Sequence, residues 1–214
     1  MIMNAYLQPS VYLDFESEAI QEIVGEFKDD FLSDIEKSKK IYLKIRDGWR
    51  YNPYNISMNR EKYQASEISK REEGHCVDKA ILLVACLRAV GVPARLRLAK
   101  VTNHIAVERL TERFGTNVLT PHGMVEVYIN KKWVKATPAF NKELCELTRV
   151  EPLEFDGEND SMFQEFNADG KQFMEYLEDY GHFEDVPLDF MLENLKINYP
   201  TIFKDDDGIL EYRF

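Results

Sequence analysis

The hydrophobic period of this chain changes at Gly91–Pro93, and that change dictates what the middle of it can fold into. Upstream, Val77, Ala80, Ile81, Val84 and Leu87 recur at three- and four-residue steps, with Leu83 widening the stripe, so a helix is predicted from about Cys76 to Val90. Gly91 and Pro93 supply its stop. Downstream, Ala94, Leu96 and Leu98 alternate with Arg95 and Arg97, the period of a strand. HIAVERL at 104–110 is expected to form a second strand. His122–Ile129 reads as a third, with Val125, Val127 and Ile129 on one face and His122, Met124, Glu126 and Tyr128 on the other. Asn130, Lys131 and Lys132 suit a tight turn into a fourth, Trp133–Thr137, before Pro138. Helices followed by an antiparallel sheet make an α+β domain.

Residues 16–48 read as helical: Ile20, Ile23, Val24, Phe27, Phe31 and Ile35 keep the helical period, and Ile41, Tyr42 and Ile45 continue it to Gly48. The aromatic, Asn- and Pro-containing stretch 49–59 is expected as a shaped loop. In the last third, helices are predicted at about 170–179 and 187–197, followed by the acidic run KDDDG at 204–208. The expected organisation is a core over 1–150 with a helical N-terminal part, and an acidic extension over 151–214 packed on the same domain.

Composition narrows the function. A net charge of −11, from 38 acidic against 27 basic residues, opposes neutralising phosphates, so neither nucleic acid nor an anionic membrane is an expected partner. No window approaches the roughly 20 apolar residues of a membrane helix, and the N-terminus has no basic segment leading into an apolar one. The expectation is a soluble cytoplasmic protein. Three cysteines, Cys76, Cys86 and Cys145, are an odd count without a dense framework and suit reduced thiols.

The chemistry concentrates in Gly74-His75-Cys76. A thiolate is the nucleophilic form of cysteine, and a helix N-terminus favours that anion through unpaired N–H groups and the positive end of the dipole. Gly74 leaves room beside the sulfur for a substrate carbonyl. His75 is read as a rim or substrate-facing residue, because an adjacent residue points away from Cys76. Cys86 and Cys145 fit small core side chains, and His104 fits either a site residue or a satisfied structural histidine. Trp49, Tyr51 and Tyr54 can wall the site or supply a second oxyanion donor; core packing explains them equally. Cys76, His75, His104 and His122 lack compact metal-ligand spacing, and no phosphate-cradling loop occurs, so neither a metal nor a cofactor is expected.

GHCVDKA, the helix ending LRAVGVPAR, and 122-HGMVEVYINKKWVKATP-138 together resemble the transglutaminase-like superfamily, over about residues 40–140. YLQPSVYLDF and PLEFDGENDSMF resemble its bacterial stand-alone, cysteine-protease-like branch. The resemblance implies a papain/transglutaminase-like core in which the helix bearing the cysteine packs on an antiparallel sheet. It also implies Cys76 as nucleophile and His122 as general base and later acid. The family commonly has an aspartate before the proline that follows the tryptophan strand; here that position is Thr137. Thr137 can accept a hydrogen bond from the ring but supplies no carboxylate field. Three readings stay open: Thr137 as a weaker orienter; Asn141, Asp156 or Asp160 in its place; or loss of catalysis.

Two functions follow. One is an enzyme, a peptidase, amidase or acyltransferase acting through a Cys76 thioester on a protein, peptide or small amide. The other is a binding or scaffolding module that kept the fold. Oligomeric state is not legible.

Overall fold

The computed structural model describes residues 2–104, 106–164, 166–203 and 211–213; the KDDDG run lies outside them. In chain order the elements are α1 (Glu18–Val24), α2 (Asp34–Gly48), β1 (Arg50–Tyr51), β2 (Asn55–Ser57), α3 (Ala65–Ser69), β3 (Glu73–Gly74), α4 (Cys76–Ala89) and β4 (Ala94–Asn103). They continue with α5 (Val107–Phe114), β5 (Val118–Ile129), β6 (Lys132–Ala136), α6 (Lys142–Thr148), β7 (Met174–Phe183), α7 (Leu188–Asn198) and β8 (Glu211–Arg213).

Four strands form an antiparallel sheet in the order β6-β5-β4-β7. Every residue of α4 from Cys76 to Arg88 is buried, which a helix apolar on all sides requires. It packs among α1, α2 and α3 and against β5. Ala94, Leu96, Leu98, Val125, Val127 and Ile129 share its cluster, as the alternation in β4 and β5 predicts. On the other face, Arg95 and Arg97 bond Glu126 at 2.5 and 2.8 Å, and Arg95 stacks on Trp133 with its guanidinium 3.9 Å from the ring centroid. The alternating arginines therefore serve a charged, aromatic layer and not open water. Arg88 is buried too and ties Gln8, Ala94 and Glu184 through their carbonyls.

The α4 helix, the β5 strand with its two faces and the turn into β6 match the sequence reading, and Asn130 and Lys131 take the positive φ values of a tight hairpin turn. Elsewhere the structure differs. The 16–48 segment is two α-helices, interrupted after Val24; the second is capped by Ser33, whose side chain and Glu36 form a capping box, and Phe31 between them is fully exposed. The 49–59 loop contains two short strands, β1 paired with β3 and β2 paired with β8.

Instead of a strand at 104–110, the chain turns after Asn103, whose Oδ1 accepts from the Ala106 N–H at 2.8 Å, and enters α5. Leu110 and Phe114 are its buried face, a four-residue step that a short alternating window hides; Ile105 lies outside the described residues. The helix predicted at 170–179 is β7. Its Glu, Leu and Met content favours a helix locally, and pairing with β4 overrides that preference. The helix near 187–197 is α7. No helix among the described residues is long and apolar enough to cross a membrane.

Candidate active site

Helix α4 begins where His75 caps it. The ring Nδ1 accepts from the Asp78 N–H at 3.0 Å, and Asp78 Oδ2 accepts from the His75 N–H at 3.2 Å. This reciprocal capping box sets Cys76 at the first helical position. A side chain at Gly74 would meet Asp78 Cβ at 3.1 Å, so glycine lets the entering strand lie against the cap.

Cys76 is 6% exposed and lines a small cavity of about 40 Å³ with Tyr51, Tyr63, Leu119 and Tyr199. Its Sγ lies 4.0 Å from the Pro121 carbonyl oxygen, beside the backbone of β5. Strand β6 stops pairing with β5 at Val125–Ala136, which leaves this stretch free to meet the helix start. Burial pushes the Cys76 thiol up to about 11. The Gly123, Val77 and Cys76 N–H groups oppose burial by favouring the thiolate, and the Asp78 carboxylate reinforces it. Burial wins, so the resting sulfur is a thiol.

The His122 ring lines a second small cavity. It is 1% exposed, neither ring nitrogen has a hydrogen-bond partner, and burial, helped by His75, pulls its pKa down to about 4. Thr137 lines the same small cavity as His122, with its Oγ1 also unpartnered. The Cys76 thiol and the His122 imidazole line different cavities and share no hydrogen bond.

The remaining candidates are dispersed. Asn141 is buried, but its Oδ1 accepts from the Tyr51 N–H at 3.0 Å and its Nδ2 donates to Glu143 at 2.7 Å. Asp156 accepts from Glu158 and Asn159, and Asp160 pairs with Lys135 at 2.9 Å. Tyr51 walls the thiol cavity, whereas Trp49 lies in the core cluster and Tyr54 stacks on Phe114 beside a different cavity. His104 pairs with Glu175 at 3.1 Å, its structural reading. Cys86 and Cys145 are free and buried. Among the described residues, no three His, Cys, Asp or Glu side chains converge as a metal would need.

Four important residues escaped the sequence reading. Asp78 completes the cap, and the H-x-x-D spacing was its signal. Lys79 is fully buried, its Nζ donating to the Arg46, Trp49 and Ala139 carbonyls at 2.7, 2.7 and 2.8 Å; a lysine inside an apolar helix face was the clue. Burial pulls its pKa down to about 7, opposed chiefly by the nearby Asp47 carboxylate, which favours the charge. Gly123, a glycine inside a strand, marks close backbone approach. Gln164 lines the His122 cavity and had no local signal.

The family model described as the transglutaminase-like superfamily matches residues 19–138, more than half of the chain. The chain belongs to the transglutaminase-like superfamily. Membership supports a cysteine-dependent enzyme as the general class. Among solved structures, the chain resembles a candidate cysteine protease from Cytophaga hutchinsonii, at TM-score 0.54 and 18% identity. The match covers 89% of this chain and 50% of that one, so the transglutaminase-like chain spans about half the length of that protein, and the likeness is one of fold. No curated protein matches the sequence.

Proposed function

We propose that this chain is a transglutaminase-like cysteine peptidase, amidase or acyltransferase acting on a protein, peptide or small amide. The Cys76 proton passes to His122 as the sulfur attacks the substrate carbonyl; the imidazolium returns that proton to the departing amine, leaving a thioester. Water then releases an acid, or a second amine receives the acyl group. The observation that carries this reading is the seat of Cys76 Sγ at the first turn of α4, against the strand backbone that flanks His122 and beside the Gly123 and Val77 N–H groups. Those N–H groups suit a developing negative charge. Tyr51 faces the same cavity and suits substrate contact.

The missing hydrogen bond between Cys76 and His122, and Thr137 in place of a carboxylate, favour a second reading, a binding module with impaired chemistry. Acyl-enzyme trapping separates the two. Mass spectrometry of the chain incubated with activated peptide esters is expected to show one acyl group on Cys76. Cys76→Ala abolishes it and His122→Gln slows it by about 10²–10⁴-fold. A wild-type chain that forms no adduct with any acyl donor, at any pH up to 10, hands the protein to the second reading.

A further inference from the structure

His122, Thr137 and Gln164 come from three separate stretches of chain and line one small cavity of about 10 Å³ together with Phe140, Met162, Phe163 and Met174. Each brings polar atoms that are buried and unpartnered: both His122 ring nitrogens, Thr137 Oγ1 and Gln164 Oε1. Buried polar groups in folded proteins are nearly always paired, so several converging on one cavity point to a shared partner. The direction of the Gln164 amide is fixed from its other end. Its Nε2 donates to the Glu151 carbonyl at 2.9 Å and approaches Cys145 Sγ at 3.9 Å. Reversing the amide would set oxygen against oxygen at Glu151, so Oε1 is the atom left unpaired at the cavity.

We propose that Gln164, assisted by Thr137, is the positioning residue of His122, holding its ring through a single bridging water in place of the family's carboxylate. The proposal rests on His122 being the base of the reading above. The cavity is about the smallest that admits one water, and the residues lining it carry unpartnered polar atoms that such a water could join. A water that accepts one ring N–H and donates to Oε1 selects a single tautomer and leaves the other nitrogen as the base. No carboxylate lines the cavity, and burial disfavours the imidazolium. A neutral amide can orient the ring without raising its basicity.

The test reads the ring, not turnover. Long-range proton–nitrogen correlation spectra of the full chain labelled with nitrogen-15 histidine, with His122→Gln for assignment, are expected to show one His122 tautomer and a midpoint near 4. Gln164→Leu should mix the tautomers in a folded chain. Gln164→Glu should raise the His122 midpoint by about one to three pH units, as a carboxylate neighbour does. If Gln164→Leu does not fold, Thr137→Val and Gln164→Glu carry the measurement. Unchanged tautomer and midpoint across the folded variants overturn the proposal. A ring that responds in a chain forming no acyl-enzyme upholds it while sinking the catalytic reading.

Discussion

Gly123 of β5 lies against Val77 of α4 so closely that a Cβ added to it would stand 2.6 Å from the Val77 Cα and 2.9 Å from the Cys76 carbonyl oxygen. Both obstacles are backbone, so no side chain can swing aside. Gly123→Ala must part the strand from the helix start and is expected to cost roughly 1–3 kcal/mol or more. Urea unfolding measures this, and acyl transfer to Cys76 should fall with it. An unchanged midpoint would mean that the approach is looser than described.

Lys79 joins the end of α2 to the segment after β6 through three carbonyls. Lys79→Met keeps the length of the side chain and leaves three buried acceptors without donors. A loss of about 3–5 kcal/mol is expected, comparable to breaking one side of a buried ion pair. Arginine should rescue poorly, because a planar fork cannot replace three converging ammonium protons in a packed site. A Lys79→Met chain within 1 kcal/mol of wild type, roughly the worth of a single hydrogen bond, would show that the carbonyls are otherwise satisfied.

Acid should weaken the fold partly through His122. Its folded pKa lies near 4, below the ordinary value of 6.5 that the unfolded chain restores. Between those values the unfolded state binds more protons, so this contribution is fully present above pH 6.5 and is lost as the pH falls to about 4. The difference corresponds to a contribution on the order of 3 kcal/mol. Urea midpoints measured from pH 7 to 4 should fall less steeply in His122→Phe than in wild type; equal slopes would contradict a buried neutral ring.

The strongest sequence signals were those in which period and composition agreed over a full element. Helix α4 and strand β5 were legible because their apolar positions repeat cleanly and because Gly91, Pro93 and the Asn130–Lys131 turn punctuate them. Segment 104–110 misled because alternation over a few residues also suits a helix showing one buried turn, and 170–179 because pairing with β4 outweighs local preference. At the site, the places of Cys76 and His122 followed from their elements. That Gln164 lines the His122 cavity depends on a segment more than 40 residues away in sequence, which no local pattern records.

Strand β7 forms one margin of the main sheet and carries Glu175, Glu178 and Asp179 along a largely exposed length. A free sheet edge is a template on which another molecule can add a strand, and like charges there discourage identical chains from doing so. On β7, Glu178 stands beside Glu175 and Asp179, the latter two matched by His104 and Arg97, so charge lines this margin and makes it a poor template for an identical strand.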